Sequence, residues 1–232
     1  IVGKGYIDKV VEKSKDLISG DDNLPEEVKV SNNKASKKKS AKAKKSQTNE
    51  QAEKHNKKND KTMKMLYVDP KEENVGIQIF GEDENIMAEA ATVAQNFNPK
   101  FVDINMGCPV RKVVSKGGGS ALLKEPKKLS SFFSTIRKSL KVPLSIKIRT
   151  GWDQDSINAH EVINIASSEG IEFVAIHGRT RTQAYRGHAN WDYLESISSN
   201  SPLPIIGNGD LHHGKKIQER LNRILSNSCI SF

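Results

Sequence analysis

Short apolar runs alternate with amphipathic stretches along the chain after residue 65. Five of these runs are typical of buried strands: GIQIF (76–80), FVDINM (101–106), LSIKIR (144–149), FVAIHG (173–178) and LPIIGN (203–208). The amphipathic stretches between and after them predict helices over residues 84–97, 129–140, 156–169, 191–199 and 214–225. This regular alternation of strand and helix predicts parallel strands joined by crossover helices.

Two α/β architectures share that alternation, a (β/α)8 TIM barrel and an open doubly wound sheet. Polar residues fall in or just beyond the C-terminal half of four of the runs, namely Asn105, Lys147, His177 and Asn208. In a barrel, the loops after the strands meet at that end and form the active site. The expected fold class is therefore α/β, with a TIM barrel favoured over the open sheet.

Residues 25–64 consist mainly of Lys, Asn, Ser, Glu and Gln, with almost no large apolar side chains. Such a segment cannot bury enough surface to offset the entropy lost on ordering, so it is predicted to be disordered. Two interpretations stay open for it. It is either a solvated insertion without a function of its own or a flexible arm that adds non-specific affinity for RNA.

The charge of the chain favours a polyanionic partner, because its formal net charge is +9. Its two cysteines, Cys108 and Cys229, lack the spacing of a zinc site or of a secreted disulfide framework. No apolar run reaches the ~18 residues that span a bilayer, and no secretory signal is visible. We expect a cytoplasmic protein without a metal or a membrane partner. Because the chain begins with Ile1 and not Met, a fragment or a processed product is expected.

The segment DINMGCPVRKVVSKGGGSALLKEP (103–126) places Cys108 just past a predicted strand, in a Gly-Cys-Pro turn. A lone cysteine in such a turn is a candidate nucleophile or acid. The alternative is a small buried apolar side chain. The segment is similar to the signature of the tRNA-dihydrouridine synthases, in which a strand ends in Asn-x-Gly-Cys-Pro and the cysteine donates a proton to the substrate base.

Further motifs occur in the order found in that family: GIQIFG, SIKIRTGW, AIHGRTRTQAYRG and PIIGNGD. The resemblance, which is to the bacterial B type, covers about residues 61–222. It implies a flavoprotein that binds FMN, takes its electrons from NADPH or NADH, and acts on tRNA. It also implies a reaction in which reduced FMN gives a hydride to C6 of a flipped-out uridine while Cys108 protonates C5. The oligomeric state stays open.

The same resemblance implies roles for individual residues. The expected FMN-binding residues are Gln78, Lys147 and His177 at the ring, with Asn208, Gly209 and Asp210 at the phosphate. The expected substrate-binding residues are Asn105, Arg179 and Arg181. Each also has a plain structural interpretation: a solvated lysine or arginine, a satisfied core glutamine or histidine, or an ordinary turn.

Some elements of the family are not visible in the sequence: the first strand with Ala-Pro-Met, the final Gly-Arg strand and the helical C-terminal domain. The predicted organisation is a remnant of an early barrel strand and loop at 1–24, the Lys-rich insertion or linker at 25–64, and a partial FMN-binding barrel at 65–232. Five or six strands cannot close an eight-stranded barrel, so this chain alone is expected to be inactive or unstable. Two alternatives stay open: an FMN-dependent barrel oxidoreductase acting on a small pyrimidine, and an inactive RNA-binding fragment.

Overall fold

The computed structural model describes residues 64–69, 71–72, 74–215 and 217–220. The predicted remnant at 1–24, nearly all of the Lys-rich segment and the end of the last predicted helix lie outside these residues. Within them the strands are β1 (Gly76–Ile79), β2 (Phe101–Met106), β3 (Leu144–Arg149), β4 (Phe173–His177) and β5 (Ile205–Asn208). The α-helices with both ends described are α1 (Glu84–Gln95), α2 (Arg111–Val114), α3 (Leu129–Lys138), α4 (Ala159–Ser168) and α5 (Trp191–Ser199). Residues 64–66, 214–215 and 217–220 are also helical, the last two ranges within the helix predicted over 214–225.

The five described strands form one parallel sheet in the order β1-β2-β3-β4-β5. Neighbours in the sheet are therefore also neighbours in the chain, as in a barrel, whereas a doubly wound sheet reverses its strand order partway. The sheet does not close among the described residues. The predicted incomplete α/β barrel is thus the architecture observed, and each predicted strand lies within two residues of its observed bounds.

One face of the sheet is apolar and forms the core with the helices. Alternate strand residues such as Ile79, Ile104 and Ile146 are buried together with Phe133 of α3 and Ile163 of α4. Successive side chains of a strand point to opposite faces of the sheet. The apolar residues at alternate positions face the helices, and the second series, formed by the residues between them, faces away from the helices. The helices therefore shield the apolar series, and the second series is free to carry polar groups.

That second series is polar toward the C-terminal ends of the strands. In the register of the sheet, Asn105 lies opposite Lys147, and His177 lies opposite Asn208. Gln78 of β1 lies opposite Asp103. The parallel strands thus bring these six polar side chains, two from β2 and one from each other strand, to one face of the sheet.

Local signals set the helix ends that frame this edge. Asp83 caps α1 by accepting hydrogen bonds from the amides of Asn85 and Ile86 at 3.0 Å each. Asn190 caps α5 in the same way, accepting from the amide of Tyr193 at 3.0 Å.

Among the described residues, no helix is both long enough and apolar enough to cross a membrane.

The loop after β2 contains short helices that the sequence did not predict. It forms α2 and then two 3-10 helices, Gly119–Lys124 and Pro126–Lys128. Short helices of this kind carry too few residues for a clear hydrophobic period, so a periodicity analysis misses them. They matter here because they follow the predicted cysteine turn and shape its surroundings.

Candidate functional site

An amide network fixes the side chains at the ends of β1 and β2. Gln78 donates from Nε2 to Asp103 Oδ2 at 2.6 Å, and Asn105 donates from Nδ2 to Gln78 Oε1 at 2.8 Å. Ser145 Oγ donates to Asp103 Oδ1 at 2.7 Å. Both amides are therefore held in one orientation, and each keeps a second N–H for another acceptor.

Asp103 is the buried centre of this network, and the sequence analysis did not single it out. It is 8% exposed, and burial raises the pKa of its carboxyl, although the hydrogen bonds from Gln78 and Ser145 and the charge of Lys147 oppose that rise. The signal that could have found it was a carboxylate inside the apolar FVDINM run. Such a residue is almost never buried without partners.

Cys108 sits in a turn that Asn105 closes. Asn105 Oδ1 accepts hydrogen bonds from the amides of Gly107 at 3.1 Å and Cys108 at 3.0 Å. The carbonyl oxygen of Cys108 accepts from Ser120 Oγ at 2.7 Å. Cys108 itself is a free, partly exposed thiol. The backbone of the candidate proton donor is thus fixed from both sides, and the residue as a whole is only partly buried.

The glycine run after this turn allows the close packing. Gly119 has φ of +60°, and a Cβ atom there would lie 2.9 Å from the carbonyl oxygen of Cys108. A side chain at this position would be strained and would push the loop away from the cysteine. Gly119 is therefore required for the position of Cys108.

Lys147 is a partly buried cation on the polar face of the sheet. It makes no hydrogen bond or ion pair with any residue that the structure describes. Burial lowers the pKa of its ammonium group, the charge of Arg149 lowers it further, and Asp103 raises it. A partly desolvated cation without a direct partner fits an anionic or electron-rich ligand.

His177 is neutral at physiological pH. Burial lowers its pKa to about 4, and the positive charges of Arg149, Lys147 and Arg179 contribute further. Its Nδ1 atom is buried and has no hydrogen-bond partner among the described residues. This unsatisfied nitrogen belongs to the strand next to that of Lys147, on the same polar face of the sheet.

The glycine turn after β5 is tied to the loop after β4. Gly209 has φ of +120°, and its carbonyl oxygen accepts from Trp191 Nε1 at 2.9 Å. Asn208 is exposed, and its carbonyl oxygen accepts from the amide of Gly178 at 3.0 Å. The turn is thus held through its carbonyl oxygens.

Asp210 directs its carboxylate into the protein. One oxygen accepts from Arg179 Nη2 at 2.7 Å and the other from the amide of Ala189 at 2.7 Å. The hydrogen bond from Ala189, followed by the contact with Arg179, lowers the pKa of Asp210. This carboxylate therefore orients the turn, and its two oxygens already have partners within the protein.

The two arginines predicted to contact substrate occupy different environments. Arg179 is 6% exposed and donates from Nη2 to the carbonyl oxygen of Gly187 at 2.7 Å as well as to Asp210. Arg181 is partly exposed, and its guanidinium carbon lies 4.4 Å from the ring centroid of Trp152. Arg179 thus bridges two loops, whereas Arg181 lies at the rim.

Arg149 is a second residue that the sequence analysis missed. It is 4% exposed, and its guanidinium donates to the carbonyl oxygens of Gly107 at 2.8 Å, Thr180 at 3.1 Å and Ala184 at 2.9 Å. The available signal was its position two residues after Lys147, on the same face of the strand.

Among the described residues no group of three or more His, Cys, Asp or Glu side chains could hold a metal ion.

The order of the parallel strands assigns this chain to the α/β-barrel class, and its candidate site lies at the carboxyl ends of the strands. The family model described as dihydrouridine synthase (Dus) matches residues 32–227. This chain therefore belongs to the dihydrouridine synthase family.

Individual relatives agree with this assignment. The chain is 37% identical over 147 residues to a probable tRNA-dihydrouridine synthase of Rickettsia prowazekii (strain Madrid E), covering 63% of this chain and 45% of the relative. It is 40% identical over 147 residues to a probable tRNA-dihydrouridine synthase of Rhizobium leguminosarum bv. phaseoli, covering 63% and 46%. It is 41% identical over 140 residues to tRNA-dihydrouridine synthase B of Pasteurella multocida (strain Pm70), covering 60% and 42%. The matched segment spans less than half of each relative.

Proposed function

We propose that this chain carries the flavin and uracil site of a tRNA-dihydrouridine synthase, which reduces the C5–C6 bond of uridine in tRNA. The observation that supports this best is the position of Cys108, in a turn closed by Asn105, at the same sheet edge as Lys147 and His177. A cytoplasmic location belongs to the same proposal, because tRNA is the substrate. The names of the relatives support the choice of reaction.

FMN is the cofactor that suits the residues of this edge. Lys147 offers a cation without a direct partner, and His177 adds a neutral imidazole. The amides of Gly209 and Asp210 donate no hydrogen bond to another described residue, so they suit a phosphate. Gln78, with its amide fixed by Asp103, offers one further N–H to a ring carbonyl. When bound and reduced by NADPH or NADH, FMN would supply the hydride that goes to C6 of the uracil.

The remaining chemistry belongs to side chains of this chain. Cys108 would hold a proton on Sγ and release it to C5 of the uracil as negative charge develops there. Asn105 would donate its second N–H to a ring carbonyl while its Oδ1 atom keeps the Cys108 turn in place. Lys147 would stabilise negative charge on the cofactor side of the site, and neutral His177 would add a polar contact without adding charge.

Uridine must leave the RNA stack to enter this site, since a stacked base cannot lie between a thiol and a cofactor ring. Arg181 at the rim would contact the RNA. Arg179 would support the site indirectly, because its guanidinium already binds Asp210 and Gly187. The partner in this proposal is therefore tRNA, bound at the mouth formed by the loops after β2, β3 and β4.

The test compares Cys108→Ala with Cys229→Ala, which removes the other thiol. Flavin absorbance near 450 nm is read first, and dihydrouridine is then quantified in unmodified tRNA after incubation with NADPH. We expect both variants to bind flavin, and Cys108→Ala to form dihydrouridine at least about 100-fold more slowly. Normal dihydrouridine formation by Cys108→Ala would disprove the proton-donor role.

The same preparation separates the two alternative functions. Reoxidation of the reduced flavin by free uracil or dihydroorotate in preference to tRNA would identify an oxidoreductase acting on a small pyrimidine. A colourless chain that still binds tRNA would identify an RNA-binding fragment without flavin chemistry. Faster reoxidation by tRNA is the outcome expected here.

A further inference from the structure

Three loops at the mouth of the site meet in one cluster of two cations and an indole. Lys124 Nζ lies 3.8 Å from the ring centroid of Trp152, and the guanidinium carbon of Arg181 lies 4.4 Å from it. We call Lys124, Trp152 and Arg181 the Trp152 cluster. Its members come from the loops after β2, β3 and β4 respectively.

Backbone hydrogen bonds hold the loops of Trp152 and Arg181 together. The amide of Arg181 donates to the carbonyl oxygen of Gly151 at 3.0 Å, and the amide of Thr182 donates to that of Trp152 at 3.0 Å. The loop after β3 also contacts the 3-10 helix that carries Lys124. Asn158 Nδ2, at the end of that loop, donates to the carbonyl oxygen of Leu123 at 2.7 Å and so fixes the end of this helix. The Trp152 cluster is therefore a preformed arrangement.

The positive charge of the cluster is not neutralised within the described part of the chain. Neither Lys124 nor Arg181 forms an ion pair with a described carboxylate, and Arg181 Nε is buried without a hydrogen-bond partner. The adjacent Asp153 accepts a hydrogen bond from Ser156 Oγ. Two cations at one indole repel each other, so an anion between or beside them would stabilise the arrangement.

The contacts of the Trp152 ring indicate which kind of anion suits the cluster. The ring of Trp152 already contacts a lysine and an arginine, so a nucleobase stacking on it would have to displace a cation–π contact. A phosphate, by contrast, would accept hydrogen bonds from the N–H groups of Lys124 or Arg181 that point away from the ring, and both contacts with the indole would stay in place. The cluster suits a phosphate group better than a base.

The cluster lies at the same end of the sheet as Cys108. The 3-10 helix that ends at Lys124 begins beside the cysteine turn, where the carbonyl oxygen of Cys108 accepts hydrogen bonds from the Ser120 amide and hydroxyl. Building on the proposed function, we propose that the Trp152 cluster binds a backbone phosphate of the tRNA strand that delivers the uridine to Cys108. The contact is electrostatic and independent of base identity.

The experiment measures the Kd of the chain for an unmodified tRNA transcript from about 50 to 200 mM salt. The variants are Lys124→Gln, Arg181→Gln and the control Lys128→Gln, whose lysine lies four positions from Lys124 but pairs with Glu125 at 2.6 Å. We expect each cluster variant to raise Kd about fivefold at low salt and to reduce the slope of log Kd against log salt by about 0.7–0.9. The control should match the unmodified chain. Circular dichroism and thermal unfolding verify that each variant is folded.

A second pair of variants tests the role of the indole. Trp152→Phe keeps an aromatic face for both cations and should retain affinity for tRNA, whereas Trp152→Leu should lose about as much as Lys124→Gln. Titration with NADPH in place of tRNA separates the two sources of phosphate. A loss of NADPH affinity with unchanged tRNA affinity in Lys124→Gln and Arg181→Gln would overturn the proposal.

The possible failures can be told apart. A chain that binds tRNA tightly, with identical salt slopes for Lys124→Gln, Arg181→Gln and Lys128→Gln, would overturn the phosphate contact alone. A chain without measurable affinity for tRNA would overturn both this inference and the proposed function. Salt-dependent losses confined to the cluster variants are the supporting result.

Discussion

The guanidinium of Arg149 donates from Nε to the carbonyl oxygen of Gly107 at 2.8 Å, one residue before Cys108. The same side chain donates from Nη1 to the carbonyl oxygens of Thr180 and Ala184, in the loop after β4. A single buried residue at the end of β3 therefore connects the cysteine turn with the loop that carries Arg179 and Arg181.

Replacing Arg149 with Lys should weaken this connection, because an ammonium cannot reproduce the three-acceptor geometry of the guanidinium. We expect the free energy of unfolding to fall by about 1–3 kcal/mol and trypsin to cleave after exposed Arg186 more rapidly. Urea unfolding and timed digestion measure the two effects. Arg111→Lys, at an exposed position, is the control, and an unchanged cleavage rate in Arg149→Lys would contradict the connecting role.

Replacing Lys147 with Met should stabilise the flavin-free chain while weakening its affinity for FMN. Burial already lowers the pKa of this ammonium, so its charge opposes folding until a ligand accepts it. We expect the free energy of unfolding to rise by about 0.5–2 kcal/mol and the Kd for FMN to rise at least about tenfold. Thermal unfolding and flavin fluorescence titration measure these values. Lys138→Met should change neither, and tighter FMN binding by Lys147→Met would count against the proposed cofactor site.

His177 should make the stability of the chain fall with pH in the acid range. The pKa of the folded histidine is lowered from 6.5 to about 4, so between these values the unfolded chain binds a proton that the folded chain does not. Falling pH therefore favours unfolding over that interval, and the effect is absent above it. Urea midpoints at about pH 7 and pH 5 should differ more for the unmodified chain than for His177→Asn. His213→Asn, at an exposed position, should behave like the unmodified chain.

Gly209→Ala should disturb the turn after β5. A Cβ atom there would lie 2.8 Å from Ala189 Cβ and 3.2 Å from His177 Nε2, on a residue with φ of +120°. We expect a loss of about 1–3 kcal/mol in the free energy of unfolding and about tenfold weaker FMN binding. Gly214→Ala is the matched control, since a Cβ atom there meets no atom within 4 Å. If Gly209→Ala and Gly214→Ala had equal stability and equal affinity for FMN, the turn would not belong to the cofactor site.

The sequence by itself determined the family and the order of the five strands and of the longer helices that follow them. Apolar runs of strand length separated by helical periods fix that order, because each pattern buries its apolar side chains in only one type of element. The same runs placed Asn105, Lys147 and His177 in the C-terminal halves of their strands, whereas the register of the folded sheet puts the three residues on one face. The turn at Cys108 followed from the Gly-Cys-Pro motif and its resemblance to the family.

Only the tertiary structure decided what these residues contact. Asp103 and Arg149 acquire their roles from partners 25 or more residues away, and the carboxylate of Asp210 faces Arg179 and Ala189 because the loop after β4 folds over the turn. The Trp152 cluster joins three loops that are remote from one another in the chain. Hydrophobic periodicity reports on residues within a single helix or strand. Hydrogen bonds and cation–π contacts depend instead on distances in space, which only the folded chain sets.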